Sequence, residues 1–250
     1  MVLGLFRRAP TPPPAAIPAG QRIYAIGDVH GRLDLLDDLL FRIDADDRAR
    51  GAADSQLIFL GDLVDRGPDS AGVVERVRAL AGSGRKVRVL MGNHEEVFLK
   101  ALTGSAEALR FFVRIGGRAT ILSYGLSEDE YNALDFEELA ARLAEIVPAA
   151  HADFMRGFED RIVAGDYLFV HAGIRPRVPL DAQQGGDLRW IRGDFLDYRG
   201  DHGHVVVHGH SITDDVDQQP NRIGIDTGAY QSGRLTALGL EGAERWFIQT

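Results

Sequence analysis

The sequence predicts an α/β fold, of the α+β kind, that is built on two central sheets. Short apolar stretches alternate with helical patterns in the first half of the chain, and this order predicts parallel strands joined by right-handed crossovers. The last third contains further apolar stretches separated by glycine-containing turns, which predict a second sheet. The chain has 250 residues, of which 45% are hydrophobic, enough to bury the core of a single domain.

Three strands and two helices follow from the pattern of the first half. Residues 22–26 are typical of a buried strand, and a helix with apolar residues three and four positions apart follows it. The strand at 57–60 leads into a second such helix, and residues 87–91 form a third strand. The apolar stripes consist of Leu33, Leu36, Leu40 and Ile43 in the first helix and of Val73, Val74, Val77 and Leu80 in the second.

Composition predicts the ends of the domain and an insertion within it. Prolines among alanines and glycines favour extended polyproline conformations, so residues 1–19 are expected to be a disordered tail and residues 20–250 a single domain. Helical segments and loops over about residues 102–165 predict an inserted helical cap. The strands of the second sheet are expected at residues 167–170, 205–207, 222–225, 234–238 and 245–248.

Composition also excludes several classes of function. The formal net charge of −9 argues against non-specific binding to nucleic acid, which needs a clustered positive surface. The chain contains no cysteine, which excludes disulfides, cysteine-ligated zinc and a cysteine nucleophile. We find no export signal and no apolar run near the roughly 18 residues that cross a bilayer. We therefore expect a cytoplasmic protein without a nucleic-acid or membrane partner.

Five short polar clusters, each beside a predicted strand, carry the chemistry. In open α/β sheets ligands bind outside the carboxyl ends of the strands, where these clusters fall. Their carboxylate, amide and imidazole donors suit divalent Mn, Fe or Zn, and two such ions roughly 3.5–4 Å apart can clamp both oxygens of an in-line displacement. The pattern therefore predicts a phosphoester hydrolase with two metals. The clusters are Gly27-Asp28-Val29-His30-Gly31, Gly61-Asp62-Leu63-Val64-Asp65-Arg66-Gly67, Gly92-Asn93-His94-Glu95, His171-Ala172-Gly173 and His208-Gly209-His210.

The first two clusters supply candidate ligands for metal and phosphate. Asp28 and His30 are two positions apart at a strand end, so both side chains project to one side and can hold one ion. Taken alone, an Asp-x-His pair is more typical of a turn with a surface histidine. Asp62 offers a carboxylate that can bridge two metals, and Arg66 supplies a fixed fork for phosphate oxygens.

The later clusters supply a proton donor and further ligands. Asn93 can provide a neutral oxygen ligand, and the adjacent His94 is free to protonate the leaving group. Asp65 is the candidate carboxylate that stabilises the imidazolium form of His94. His171 closes a predicted strand, as the earlier clusters do. Either histidine of the last cluster can be a nitrogen ligand, and spacing alone does not choose between them.

Together the clusters resemble the signature of the phosphoprotein phosphatase branch of the metallophosphoesterases, in particular its bacterial and phage-type serine/threonine phosphatases. The resemblance runs from about Arg22 to the C-terminus. It implies a metallophosphoesterase-type four-layer α/β/β/α sandwich, with two central mixed sheets flanked by helices. The broader superfamily often carries Gly-His-x-His at the final motif, and Ile212 in place of the second histidine matches the phosphoprotein phosphatase branch.

The resemblance also implies the roles of individual residues. For the phosphate it implies Arg66 and Arg192, with Arg189 and Arg175 as competing candidates. His208 becomes an outer partner of a ligand, as metal-bound imidazoles commonly have. The ligands that it implies are Asp28, His30 and Asp62 for the first metal, and Asp62, Asn93, His171 and His210 for the second.

The expected reaction is hydrolysis of phosphomonoesters on protein serine or threonine, by direct attack of a metal-bridging hydroxide, with Mn as the expected metal and Fe or Zn as alternatives. Symmetrical diadenosine tetraphosphate hydrolases are the alternative, although they usually carry Ala at the position of Asp65 and Asp at the position of Glu95. A non-catalytic scaffold that binds phosphorylated proteins is a remote alternative, which the complete ligand set disfavours. The expected partner is a phosphorylated protein or a small phosphoester.

Overall fold

The computed structural model describes residues 14–250, which contain two five-stranded mixed sheets. The strands are β1 (Gln21–Ile26), β2 (Asp54–Phe59), β3 (Lys86–Val89), β4 (Ile162–Ala164), β5 (Tyr167–Phe169), β6 (Val205–His208), β7 (Asp217–Gln219), β8 (Arg222–Gly224), β9 (Thr236–Glu241) and β10 (Glu244–Gln249). The first sheet has the order β10-β9-β1-β2-β3 and the second the order β4-β5-β6-β8-β7.

The helices of the described chain include the two that the apolar stripes predict, and those stripes face the core. A wide turn of the π type at Val113–Gly117 and a short 3₁₀ turn at Leu180–Ala182 complete the set. The helices are α1 (Leu33–Arg50), α2 (Ser70–Gly82), α3 (Asn93–Ala101), α4 (Ala106–Phe112), α5 (Arg118–Ser123), α6 (Glu128–Ala133), α7 (Phe136–Ile146), α8 (Ala149–Arg156), α9 (Gly185–Trp190), α10 (Gly193–Leu196) and α11 (Ala229–Ser232).

The first sheet contains the predicted parallel strands and two strands that we expected elsewhere. β1 pairs in parallel with β2, and β2 with β3, as the alternation of strands and helices predicts. β9 and β10 were expected in the second sheet, and this prediction is wrong, because β9 pairs antiparallel with β1. The reason is burial, since β1 is covered on both faces and needs a partner on each side. β9 meets that need because Ala237 faces one core and Leu238 the other.

The second sheet has a parallel centre of β5, β6 and β8, with β4 and β7 antiparallel at its two edges. The sequence pattern predicts the three central strands but not the edge strands. β4 and β7 are three residues long, and the Asp-Gln-Gln of β7 shows no apolar alternation. The conformation of such edge strands depends more on pairing with the neighbouring strand than on the strand's own sequence.

Three apolar clusters show that the predicted four-layer sandwich is correct. Alternate residues of β1 face opposite ways, so Tyr24 and Ile26 pack against α1 and α2 while Ile23 and Ala25 pack against the second sheet. The outer face of the second sheet packs on α9 and α10, where Phe195 is fully buried. The order of layers is therefore helices, first sheet, second sheet and helices.

The N-terminal segment is packed from residue 15 onward, so the predicted boundary of the tail at residue 19 is too late. The Ile17 side chain lies in the cluster between the sheets, and its backbone N–H donates to the Gly242 carbonyl at 2.9 Å. The Ala16 N–H donates to Asp166 Oδ2 at 2.9 Å. The composition of this segment, which is rich in proline and alanine, does not indicate that Ile17 is buried. The rest of the predicted tail, residues 1–13, lies outside the described residues.

The predicted insertion is helical, and it contains α4 to α8. These helices belong to the first apolar cluster, in which Leu109, Phe112 and Ile121 are fully buried. Their helical layer continues the one that α1 and α2 begin, and its segment 113–120 reaches the carboxyl ends of the strands. Among residues 14–250 we find no helix whose length and apolar character suit it to crossing a membrane.

Candidate metal centre

The five polar clusters converge where the carboxyl ends of strands from both sheets meet. β1, β2 and β3 lead to Asp28, Asp62 and Asn93, and β5 and β6 of the second sheet lead to His171 and His210. Each of these side chains and that of His30 is buried, with at most 7% of the residue exposed. The arrangement follows the rule that open α/β sheets bind ligands outside the carboxyl ends of their strands.

Two groups of possible metal ligands share Asp62. Nitrogen and oxygen atoms of His30, Asp62 and His94 lie within 4.8 Å of one another, and so do atoms of Asp62, His171 and His210. The shared carboxylate has the position expected of a bridge. Asn93 completes the second group, because its Oδ1 lies 2.9 Å from both His171 Nε2 and His210 Nδ1.

Asp28 lies beside the second group, and the first group contains His94 where we expected Asp28. The His210 backbone N–H donates to Asp28 Oδ2 at 2.9 Å. The other carboxylate oxygen, Oδ1, is buried and has no hydrogen-bond partner in the described part of the chain. A buried anionic oxygen without a partner is costly unless a cation satisfies it.

Backbone carbonyls orient two of the candidate histidine ligands. His30 Nδ1 donates to the Val64 carbonyl and His171 Nδ1 to the Leu60 carbonyl, each at 2.8 Å. An imidazole that donates through Nδ1 presents the lone pair of Nε2, and this is how proteins commonly orient metal-binding histidines. The Nε2 atoms of His30 and His171 lie 3.6 and 3.4 Å from Asp62 Oδ2.

The structure separates the two histidines of the last cluster, which spacing alone does not. His210 lies in the second group, next to Asn93. His208 lies outside the group, with its ring 5.1 Å from the Phe195 ring and its Nε2 3.4 Å from an Arg222 nitrogen. The placement agrees with His210 as the candidate ligand and His208 as an outer residue.

The protonation states show that this chain is suited to divalent cations. Burial and the charge of Asp226 raise the pKa of Asp28, and burial also raises the pKa of Asp226, because in both cases these effects outweigh the positive charge of His171. Burial lowers the pKa of His30 to about 3 and that of His210 to about 2, so both rings are neutral and able to ligate. Oxygen and imidazole donors of this kind suit borderline divalent metals. The donor set therefore fits a metal centre.

His171 is charged in the chain without cations. Burial opposes the imidazolium, but the charge of Asp62 outweighs it and raises the pKa of His171 to about 10. The same interaction holds the pKa of Asp62 well below its usual range in spite of burial. A cation at this position would replace the proton as the counter-charge of Asp62, because a ligating imidazole must be neutral.

Asp65 and His94 form the close pair that the sequence predicts for the proton donor. Asp65 Oδ2 lies 2.6 Å from His94 Nδ1, and both side chains are buried. Burial opposes the charged ring, but Asp62 and the hydrogen bond to Asp65 outweigh it and raise the pKa of His94. With Nδ1 bound to Asp65, Nε2 of the His94 ring lies 3.8 Å from Asp62 Oδ2.

Arg66 lies at the same place, and its guanidinium nitrogens are 3.0 Å from Nε2 of His30 and of His94. Of the three arginines that compete for the second phosphate contact, Arg175 pairs with two aspartates and Arg189 with Asp160 and Glu96. Arg192 has no ion pair among residues 14–250, and its charge contributes to lowering the pKa of His210. Of the three candidates, Arg192 is therefore the one whose guanidinium is not held by a carboxylate among the described residues.

A buried glutamate holds the loop that carries Asp62, and the sequence analysis missed this role. Glu95 Oε2 accepts from the backbone N–H of Asp62 at 2.9 Å and of Gly92 at 3.1 Å. Glu95 Oε1 accepts from the N–H groups of Leu63 and Val64 at 2.7 and 3.2 Å. Asp62 has a positive φ of 49°, which costs about 1–3 kcal/mol and persists only where such contacts impose it.

Gly92 is required by this packing. A Cβ at Gly92 would lie 2.2 Å from Asp62 Oδ1 and 2.5 Å from Glu95 Oε2. Any side chain there would push the shared carboxylate away from its position. The glycine that precedes Asn93 therefore contributes to the site by leaving room for it.

Two aromatic side chains border the candidate ligands. Trp190 is 37% exposed, its ring centroid lies 6.5 Å from that of His210, and its Nε1 donates to Glu96 Oε2 at 3.1 Å. The Tyr230 ring lies 5.4 Å from that of His30, and the Arg66 guanidinium carbon is 4.9 Å from its centroid. One aromatic residue thus lies beside each group of ligands.

Comparison with solved structures reveals the same fold in proteins that are described as phosphatases. A structure provisionally described as a diadenosine tetraphosphatase has a TM-score of 0.63 at 24% identity and covers 91% of this chain and 93% of that one. A cold-active protein tyrosine phosphatase has a TM-score of 0.60 at 20% identity, covering 93% of this chain and 81% of that one. At these identities the likeness concerns the fold alone.

Sequence relatives are named as tetraphosphatases. A symmetrical bis(5'-nucleosyl)-tetraphosphatase of Janthinobacterium sp. (strain Marseille) is 32% identical over 62% of this chain and 44% of the relative. Its counterpart in Ralstonia nicotianae is 29% identical over 86% of this chain and 62% of the relative. An asymmetrical bis(5'-nucleosyl)-tetraphosphatase of Anoxybacillus flavithermus is 28% identical over 85% and 88%. The chain thus spans less than two thirds of the first two relatives.

The family follows from a match that covers most of the chain. Residues 21–235 match the calcineurin-like phosphoesterase family, and this range contains every candidate site residue. The two mixed sheets, the flanking helices and the shared carboxylate agree with that match. The chain therefore belongs to the calcineurin-like phosphoesterase family.

Proposed function

We propose that the chain hydrolyses dinucleoside polyphosphates and cleaves bis(5'-nucleosyl) tetraphosphates symmetrically into two nucleoside diphosphates. The observation that carries this proposal is the naming of the relatives, one of which aligns over 86% of the chain. It supports the dinucleotide alternative of the sequence analysis better than the phosphoprotein reading. The Asp65 and Glu95 positions depart from the pattern expected of such enzymes.

The aromatic residues at the centre agree with a substrate that carries two bases. Trp190 and Tyr230 lie beside different ligand groups, and a base can stack on an aromatic ring with a gain of about 1–3 kcal/mol. A polyphosphate chain between two such bases would cross the buried carboxylates and histidines, where positive charge from metals and arginines is needed. A phosphopeptide offers no equivalent pair of flat groups.

The side chains of this protein have distinct roles in the proposed reaction. Arg66 and Arg192 bind the equatorial phosphate oxygens, and this contact draws the Arg66 guanidinium away from His94 Nε2. A water molecule forms a new bond to phosphorus and releases a proton to solvent, and the bond from phosphorus to the departing oxygen breaks. His94 donates its Nε2 proton to that departing oxygen, while Nδ1 donates to Asp65. Divalent cations supply Lewis-acid polarisation of the phosphoryl oxygen when they are bound. Their proposed ligands are Asp28, His30, Asp62, Asn93, His171 and His210.

Hydrolysis of phosphomonoesters on protein serine or threonine is a second candidate, which the Asp65–His94 pair favours. An alkoxide is a poor leaving group and needs a proton donor more than a nucleoside diphosphate does. The distance of 2.6 Å between Asp65 Oδ2 and His94 Nδ1 supports this candidate, because it fixes the ring that we propose as the donor. Either substrate uses the same centre, so the two candidates differ in what the surrounding surface admits.

Parallel assays distinguish the candidates. The purified chain, stripped with a chelator and reloaded with Mn²⁺, is given diadenosine tetraphosphate or a phosphoserine peptide, and the products are separated by chromatography. The proposal expects a higher kcat/KM for the dinucleotide, with ADP as the only nucleotide product. If the products were ATP and AMP in equal amounts, the cleavage would be asymmetrical, and the symmetrical part of the proposal would be wrong. Preference for the peptide would overturn the proposal.

Two further measurements test the metal dependence. Asp62→Asn replaces one oxygen of the shared carboxylate by an NH2 group and removes its negative charge. This variant is expected to lower kcat by at least about 10³-fold with every substrate. The matched change Asp129→Asn, on the exposed surface of α6, is expected to have no effect. Reloading with Mn²⁺, Fe²⁺ or Zn²⁺ ranks the metals, among which we propose Mn²⁺.

A further inference from the structure

The loop of residues 62–67 has an unusual backbone that neighbouring segments hold in place. Asp65 and Arg66 are consecutive residues with positive φ values of 76° and 70°. Side chains other than glycine are strained in this region, and such strain persists only where surrounding contacts impose it. Glu95 satisfies the first three N–H groups of the loop, and the helical insertion contacts the next two.

Thr120 of α5 makes two hydrogen bonds to Asp65. Its hydroxyl accepts from the Asp65 backbone N–H at 2.9 Å and donates to Asp65 Oδ1 at 2.6 Å. Thr120 is fully buried, and 55 residues separate it from Asp65 in the sequence. Asp65 Oδ1 thus faces Thr120 while Oδ2 faces His94, so the carboxylate is fixed from both sides.

The same segment of the insertion fixes Arg66. The Arg66 backbone N–H donates to the Gly116 carbonyl at 3.2 Å. Gly116 has a φ of 122°, and a Cβ there would lie 2.8 Å from Arg66 Cγ. The wide turn at Val113–Gly117 therefore brings the backbone of the insertion against the phosphate-binding arginine, and α5 then places Thr120 against Asp65.

We infer that Thr120 is a positioning residue for proton transfer, which acts on the leaving group through Asp65 and His94. The inference rests on the proposed role of His94 as the proton donor. Thr120 orients the Asp65 carboxylate, the carboxylate orients the ring of His94 through Nδ1, and Nε2 then points at the departing oxygen. The helical insertion thus contributes to the chemistry as well as to the core.

Leaving-group dependence provides a readout that a purely structural role would not change. Protonation matters little for 2,4-dinitrophenyl phosphate, whose phenol leaves readily as an anion, and it matters more for phenyl phosphate. Thr120→Val keeps the shape of the side chain and removes both hydrogen bonds. We expect the ratio of kcat for the dinitrophenyl ester to kcat for the phenyl ester to rise about tenfold in this variant. An unchanged ratio would overturn the inference.

Two matched variants isolate the contact with the carboxylate. Ser70 Oγ also accepts from the Asp65 N–H, at 2.9 Å, and lies 3.0 Å from Thr120 Oγ1, but among residues 14–250 it makes no hydrogen bond to the Asp65 carboxylate. Ser70→Ala should therefore keep the wild-type ratio, whereas Thr120→Ser should restore it because it keeps the hydroxyl. In an Asp65→Asn background Thr120→Val should add no further change to the ratio, since it acts through Asp65. An additional change there would also overturn the inference.

If the Thr120→Val protein has too little activity for kinetic measurements, NMR spectroscopy of His94 tests the inference instead. In the Mg²⁺-loaded protein, the ring ¹⁵N resonances of His94 report which nitrogen carries the proton and how strongly Nδ1 donates. Thr120→Val should move the Nδ1 resonance, and Ser70→Ala should not. An unmoved resonance contradicts the inference. Failure of the wild-type chain to hydrolyse any phosphoester would instead contradict the proposed function.

Discussion

His171 Nε2 lies 2.9 Å from Asn93 Oδ1, although 78 residues separate them and their strands belong to different sheets. Asn93 follows β3 of the first sheet, and His171 follows β5 of the second. The candidate metal centre therefore joins the two halves of the sandwich. Metals bound there should hold the sheets together, which connects occupancy of the centre with the stability of the fold.

Metal loading is expected to raise the melting temperature. A ligand present at 100 times its Kd stabilises the folded state by about 2.7 kcal/mol, which corresponds to roughly 5–11 °C for a chain of this size. The measurement is a thermal melt of chelator-treated protein titrated with Mn²⁺. Asn93→Ala removes one oxygen ligand and should reduce the shift. An equal shift in both proteins would place the bound metal elsewhere.

Glu95→Gln is expected to destabilise the fold by about 2–4 kcal/mol, measured as the free energy of unfolding in urea. The carboxylate accepts four backbone N–H groups, and an amide nitrogen in place of one oxygen would face two of those donors. Glu145→Gln on the exposed surface of α7 breaks an ion pair with Arg142 and should cost under about 0.5 kcal/mol. Equal values for the two variants would exclude Glu95 as the support of the loop.

Arg192 and Arg175 should differ in their effect on phosphate binding. Arg192→Ala is expected to weaken competitive inhibition by inorganic phosphate about tenfold, because a charge-assisted hydrogen bond is lost. Arg175 is bound to Asp187 and Asp194, so Arg175→Ala should leave the inhibition constant within about twofold. The inhibition constants of the two variants test the assignment. A larger effect of Arg175→Ala than of Arg192→Ala would assign the phosphate contact to Arg175 instead.

Asp217 is expected to stabilise the protein in a pH-dependent way. Burial opposes ionisation of Asp217, but hydrogen bonds from Gln219 and the buried Arg222 outweigh it and lower its pKa. A carboxyl whose pKa is lower in the folded state stabilises above its unfolded pKa of about 3.9, and this contribution disappears as the pH falls below that value. Asp217→Asn should therefore be less stable than the wild type at pH 7 by roughly 1–2 kcal/mol.

Urea unfolding of both proteins between pH 7 and pH 3 tests this sign. The difference in unfolding free energy between wild type and Asp217→Asn should shrink as the pH falls. A difference that stays constant over the whole range would mean that Asp217 has the same pKa in the folded and unfolded chains.

Trp190 should affect dinucleotides more than small esters. Trp190→Ala is expected to lower kcat/KM for diadenosine tetraphosphate about tenfold, because a stacking surface is lost. Hydrolysis of p-nitrophenyl phosphate should change less than about twofold, and Trp190→Phe should recover most of the dinucleotide activity. Phe41→Ala, which alters an exposed aromatic residue on α1, serves as the control. Equal losses for both substrates would assign Trp190 a structural role.

Much of the fold and of the centre can be predicted from the sequence because the relevant information is local. Asp28, Asp62 and Asn93 each lie just beyond an apolar strand, and the carboxyl ends of parallel strands meet at one edge of a sheet. The β1 and β2 patterns and the apolar stripes of α1 and α2 are also local. From these elements the convergence of the first three clusters follows, whereas the contribution of His171 and His210 from the second sheet was implied by the family resemblance.

The rest depends on contacts between distant parts of the chain. The spacing and periodicity of the sequence do not indicate that β9 pairs with β1. They also do not indicate the hydrogen bonds between Thr120 and Asp65. Glu95 stands next to the proton donor, yet its contacts are to backbone groups about 30 residues away. The one sequence signal for this role of Glu95 is its position in the first turn of a helix. A glutamate at that position is ordinarily interpreted only as a favourable charge at the helix N-terminus.

The position of β1 between β2 and β9 has a consequence for biosynthesis. β1 is synthesised more than 200 residues before residues 236–241, which pair with its other edge. Until then the nascent polypeptide exposes an unpaired strand edge of the kind that templates aggregation. A chain truncated before residue 236 would keep this edge unpaired, so the topology itself makes incomplete chains more prone to aggregation than the complete fold.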